Sequence, residues 1–205
     1  MPVRTDFEGL VRALAASGDG AGRRIVAVAG APGSGKSTFA ERLAARLGGA
    51  VLPMDGFHYD DIVLEARGHR PRKGAPFTFD VGGLAATLAR LAADDGRAVA
   101  VPVFDRSIEI ARAGARIIEP STRVVVVEGN YLLLDDPAWT PLGAHFDATV
   151  MLDVPMPVIE ARLYARWKGL EGEALRAKME ENDLPNARLV AGHSRAADFL
   201  VANDD

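Results

Sequence analysis

Eight consecutive residues, Gly30-Ala31-Pro32-Gly33-Ser34-Gly35-Lys36-Ser37, fit the spacing G-x-x-x-x-G-K-[ST]. That spacing has a chemical meaning. Glycines let backbone N–H groups turn inward around phosphate oxygens without Cβ clashes. Lys36 can reach the β- and γ-phosphates of a nucleoside triphosphate, and Ser37 can offer its hydroxyl to Mg²⁺. Lysine is scarce in this chain and arginine abundant, so a lysine at the one slot that needs it weighs against an ordinary glycine-rich turn. The residues from Gly30 to Thr38 are therefore candidates to hold ATP.

Such a loop works only when it is held between a strand and a helix. The apolar run Ile25-Val26-Ala27-Val28-Ala29 supplies the strand. Phe39, Leu43 and Leu47, recurring every fourth residue, supply the helix. A second short strand over 50–54 ends at Asp55, and ligands in open α/β sheets gather at strand tips, so Asp55 is placed for chemistry on whatever meets the phosphates. A third strand over 98–103 leads to Phe104-Asp105-Arg106. That trio either lines a pocket for a polar small molecule or forms a plain Arg106–Asp105 surface pair.

The run 124–127 is four valines with no polar position, the pattern of a strand buried on both faces of a parallel sheet. Glu128 follows it directly, either as the acid that orients Mg²⁺ or as a loop or capping acid. A fifth strand over 149–154 ends at Pro155, and the helix that follows carries Arg162 and Arg166 on one face. This face either swings over the nucleotide, where arginines would neutralise charge on a transferred phosphoryl group, or faces solvent. Gly169 and Gly172 hinge a helix over 171–182, so residues 160–183 are expected to form a short lid. The remaining pieces are a helix over 5–16 with a loop over 17–22, a helix capped by Asp80, a brief edge strand at 117–118 and a closing strand at 199–201. Together they predict one α/β domain with a mainly parallel, five-stranded sheet and helices on both faces.

Residues 56–79 are polar and irregular, and a connection of this length and charge is more often functional than idle. His58, Arg67 and Lys73 are its candidate contacts to a substrate, although the basic group from Arg67 to Lys73 reads equally as a solvated loop. His58, Asp60 and Asp61 could hold a metal in principle, but Ser37 and the phosphates offer Mg²⁺ a simpler site.

Composition narrows the rest. The chain has 205 residues, a net charge of −4 and no cysteine. The acidic balance argues against a nucleic-acid groove, and the missing cysteines exclude disulfides and thiolate chemistry. No apolar stretch approaches the length of a membrane span, so a cytoplasmic location is the expectation. Assembly stays open, a homodimer included.

Several stretches, taken together, resemble one known group: GAPGSGKS, MDGFHYDD with ARGHRPRKGAPFTFDV downstream, VPVFDRS, VVVVEGNYLL, and the RLYARW helix followed by ENDLPNARLV. These are similar to the phosphate-loop kinases that include uridine kinase, phosphoribulokinase and the bacterial type of pantothenate kinase. The resemblance runs from about residue 24 to 201, and the compact length is similar to a branch labelled nucleoside/nucleotide kinase or fructose transport system kinase. It implies the fold of the phosphate-loop nucleoside triphosphate hydrolases and ATP- and Mg²⁺-dependent phosphoryl transfer to a small-molecule hydroxyl. It also implies that Asp55 is the general base, that Arg166 and Arg162 are lid arginines, and that Asn182 lies near acceptor or nucleotide. Tyr131 stands where Leu or Ile is more usual and would shape the acceptor pocket. Residues that would identify pantothenate or a nucleoside as acceptor are not matched. The competing expectation is a nucleoside triphosphatase or nucleotide-dependent switch without an acceptor.

Overall fold

The computed structural model describes residues 1–17 and 22–203. Most of the expected 17–22 loop, residues 18–21, lies outside them. The central sheet is built from β1 (Val3–Thr5), β2 (Arg24–Ala29), β3 (Ala50–Pro53), β6 (Val124–Gly129), β7 (Ala148–Asp153) and β8 (Phe199–Ala202). Among the described residues its six strands are all parallel, in the order β1-β8-β7-β2-β6-β3. Both faces are covered. On β2, Ile25, Ala27 and Ala29 face one apolar cluster while Val26 and Val28 face the other. On β6, Val125 and Val127 alternate with Val124 and Val126 in the same way. Helices α1 (Phe7–Ala16) and α2 (Lys36–Arg46) cover one face. A short α3 (Asp61–Ala66) lies within the 56–79 connection. Helices α4 (Val81–Ala93), α5 (Met156–Arg166) and α7 (Leu184–His193) cover the other face.

The sheet therefore has six strands where five were expected, and its membership differs. The predicted third strand is β4 (Val99–Asp105), which leaves the sheet and pairs antiparallel with β5 (Ile110–Ile118) in a separate hairpin. The residues hold the reason. The start of β4 alternates buried and exposed positions, as a strand with one wet face does, whereas every residue of β6 is buried. Pro102 cannot donate a ladder hydrogen bond, and the pairing register shifts between Val101 and Val103, which flank it. At the N-terminus, Thr5 pairs with Val201 in the sheet, so the first helix starts at Phe7 rather than at residue 5. Asp6 caps it, accepting from the Gly9 N–H at 2.7 Å.

Beyond α5 the chain makes α6 (Gly172–Lys178) and a π-helical turn, Met179–Asp183, before entering α7. The helix expected over 171–182 thus splits in two. Helix α6 buries none of its residues, whereas the turn buries Met179, Asn182 and Asp183. Among the described residues no helix is long and apolar enough to cross a membrane.

Candidate active site

The carboxyl ends of β2, β3 and β6 meet where the glycine loop turns into α2. Gly33 (φ +83°) and Gly35 (φ +78°) take the left-handed conformation that L side chains resist. A Cβ on Gly33 would also press to 3.2 Å from the Ile159 carbonyl oxygen of α5. Pro32, Gly33, Gly35, Lys36, Ser37 and Thr38 line a cavity of about 250 Å³. Gly30, Ala31 and Ser34 are buried behind them, with the Ser34 hydroxyl so close that a Cβ on Gly30 would stand 2.5 Å from it.

The same cavity is lined by Asp55, His58, Lys73, Phe104, Arg106 and Arg166. Asp55 sits in the short turn Met54–Phe57 after β3, its side chain about four-fifths buried. Arg106 reaches back from the hairpin to donate to Asp55 Oδ2 at 2.7 Å. Of the two readings of the Phe104-Asp105-Arg106 trio, the Arg106–Asp105 surface pair is thereby replaced, since Asp105 accepts instead from Arg112 at 3.2 Å. His58 donates through Nδ1 to the Asp55 carbonyl at 2.8 Å, with its ring against Phe79 and Phe104. Lys73 is buried, donates to Asp61 and to the Glu109 carbonyl at 2.6 Å each, and stands 5.3 Å from the Phe104 ring.

Charge is arranged unevenly here. Burial pushes the Asp55 carboxyl up, but His58, Arg106, Lys36 and Arg166 outweigh it and hold the group below its usual value. Burial lowers the Lys36 ammonium, opposed by Glu128 and Asp55. Burial also lowers His58. Glu128, 5% exposed, is the opposite case. Burial with help from Asp55 raises it to about 7 against the pull of Lys36, Ser37 and Arg106. The Ser37 hydroxyl donates to Glu128 Oε1 at a long 3.3 Å. A hydroxyl and a buried carboxylate so loosely joined form a hard oxygen donor pair that fits Mg²⁺.

The other expected residues lie around this cavity rather than on it. Glu128 faces a smaller neighbouring cavity that shares Ser37, Asp55 and Arg106. Arg162 donates to the carbonyl oxygens of Asn203 (2.9 Å) and Gly33 (3.4 Å), on the outer side of the loop. The buried Tyr131 donates to the Gly74 carbonyl at 2.6 Å, and the buried Asn182 donates to the Lys73 carbonyl at 2.9 Å. Both brace the 73–74 segment from behind. Arg67 lies outside the lining, 5.0 Å from the Tyr59 ring. Sequence reasoning missed Asn130, Trp167, Lys178 and Asn186 in the lining. Lys178 and Asn186 flank the π-helical turn, a feature frequent at functional sites that no helical periodicity announces.

One substitution probes the coupling between the turn and the hairpin. A Cβ on Gly56 would lie 2.5 Å from the Pro102 carbonyl oxygen and 2.7 Å from its carbon, both backbone atoms. Gly56→Ala is expected to destabilise the chain by about 1–3 kcal/mol, as overpacking does. Because relief means moving the hairpin that carries Phe104 and Arg106, turnover should fall more than the melting temperature alone implies. Thermal unfolding beside steady-state kinetics checks this; unchanged values of both would mean that the contact relaxes freely.

The chain is similar to several known proteins. A Silicibacter sp. TM1040 protein described as a "putative fructose transport system kinase" superposes with a TM-score of 0.89 at 44% identity, over 96% of this chain and 98% of that one. The Escherichia coli K12 protein YggC, described as uncharacterized, is 35% identical over 87% of this chain and 77% of its own length. "Putative uridine kinase C227.14" of Schizosaccharomyces pombe is 33% identical over 87% of this chain and 83% of its own. Residues 25–166 match the profile of the Phosphoribulokinase / Uridine kinase family, and the chain belongs to that family of phosphate-loop kinases.

Proposed function

We propose that this chain moves the γ-phosphoryl group of ATP to a hydroxyl of a small molecule, a sugar, nucleoside or similar alcohol, in the cytoplasm. The observation that carries the reading is Asp55: a carboxylate kept ionised by neighbouring cations, lining the same cavity as Lys36 and Ser37. A nucleoside triphosphatase would need only a positioned water there. The His58, Phe79 and Phe104 rings beside Asp55 instead make a wall suited to an organic acceptor.

In this reading Lys36 and the loop N–H groups hold the β- and γ-phosphates. Ser37 and Glu128 would hold Mg²⁺, which supplies charge neutralisation on the phosphate oxygens when bound. Asp55 accepts the proton of the acceptor hydroxyl, whose oxygen bonds to the γ-phosphorus as the bond from that phosphorus to the β–γ bridging oxygen breaks and ADP leaves. Arg166 neutralises charge that develops during transfer. Helix α6, with Lys178 at its end lining the cavity, closes as a lid to exclude water.

The test is ADP release from ATP·Mg²⁺ against fructose, ribose, ribulose, uridine, cytidine, nicotinamide riboside and pantothenate. Turnover that depends on one of these supports the reading and names the acceptor class. Slow turnover indifferent to all of them would favour a nucleoside triphosphatase or switch.

A further inference from the structure

We propose that Asn203, at the end of the last strand, is a positioning residue for the phosphate loop. Together with Arg162 it clasps the loop from outside, and this assignment rests on the nucleotide-binding half of the function proposed above.

Three contacts converge on the clasp. The Asn203 side-chain N–H donates to the Ser34 carbonyl at 2.7 Å. The Asn203 carbonyl accepts from Arg162 Nη1 at 2.9 Å, and the same nitrogen stands 3.4 Å from the Gly33 carbonyl. A Cβ on Gly35 would come within 2.7 Å of the Asn203 amide nitrogen, so the amide lies directly on the loop backbone. A phosphate cradle needs its N–H groups inward and hence its carbonyls outward. The peptide unit is planar and the described chain has no cis bond, so the Ser34 C=O and the Gly35 N–H point in opposite directions. A donor that holds the Ser34 oxygen outward therefore aims the Gly35 N–H toward the side that lines the cavity. Gly35 also carries a left-handed φ of +78°, one of several conformations equally open to a glycine, so the chain itself does not select it and an outside contact can. Strand β8 anchors Asn203 through its pairing with β7.

Calorimetric titration of the full chain with ADP·Mg²⁺ and, separately, with inorganic tripolyphosphate·Mg²⁺ tests the assignment. Asn203→Ala is paired with Asn203→Leu, which keeps similar bulk and the backbone carbonyl that Arg162 uses. Both variants are expected to weaken both ligands by about tenfold, roughly 1.4 kcal/mol. The loop meets only phosphates, so the two losses should match. The unliganded melting temperature should drop by no more than about 2–4 °C, the cost of one modest hydrogen bond in a chain of this size. Unchanged affinity for both ligands would overturn the assignment. So would a loss confined to ADP, which would make Asn203 a reader of the base. A wild-type chain that binds neither ligand would overturn the kinase reading itself.

Discussion

Asp55→Asn is expected to lower acceptor-dependent turnover by about 10²- to 10⁴-fold, the range typical of a lost general base, with nucleotide affinity largely kept. The side chains are nearly isosteric, so the turn Met54–Phe57 and the His58 bond to the residue 55 carbonyl survive. What disappears is the site for the acceptor proton and the negative partner of Arg106, 2.7 Å away. Lys36 loses one of the two carboxylates that hold its ammonium charged, but Glu128, the stronger of them, remains. The loss should therefore fall on kcat rather than on the KM for ATP, because the interaction serves the transferring state. Asp55 lies below the ordinary carboxylate range, so the wild-type acid limb should not reflect its protonation near neutral pH. Turnover within tenfold of wild type would remove Asp55 as base and leave Lys36 and Arg166 to act by electrostatics and positioning alone.

Much of this site is legible in the residues themselves. Gly33, Gly35, Lys36 and Ser37 declare themselves because phosphate binding restricts residue type and spacing within a few consecutive positions. Asp55 and Glu128 are legible because each directly follows an apolar run, and parallel strands deliver their last residues to one edge of the sheet. The hairpin is not, because strand periodicity tells how a segment is wetted but not which strand it pairs with. Its partner β5 interleaves Ala, Gly and Arg and hides its strand character until β4 is beside it. Strand β1 is only three residues long, too short to carry a period. The bond between Asn203 and Ser34 spans 169 positions, and a lone asparagine after a short strand gives no local sign of that partner. Arg162 and Arg166 share a helix face by spacing. Yet a turn of helix separates them enough that one grips the loop from outside while the other lines the cavity.

Glu128→Gln should move stability and activity in opposite directions. In the wild type the carboxyl is raised from 4.5 to about 7, with burial as the main cause and Asp55 adding to it. Below about pH 4.5 folded and unfolded chains both carry the proton, and Glu128 contributes no pH dependence. As pH rises from there toward 7, the unfolded chain has released a proton that the folded chain still holds, so stability falls across that window. Above 7 the deficit is constant, at most roughly 3–4 kcal/mol for a shift of this size at about 1.4 kcal/mol per unit. Glutamine carries no such charge and can still accept from the Ser37 hydroxyl. The variant without metal should therefore melt higher than wild type at pH 8 and lose that advantage at pH 4.5. Its Mg²⁺-dependent turnover should drop, since a neutral amide is a poor partner for a hard cation. Added Mg²⁺ should raise the melting temperature of the wild type more than that of the variant, because a divalent ion would offset the part of the cost of ionising Glu128 that Lys36 and Arg106 leave. Thermal unfolding at the two pH values, with and without Mg²⁺, reads all of these at once. A variant less stable than wild type at pH 8 without metal would mean that Glu128 is satisfied as a carboxylate by the protein alone, and its role would then be structural.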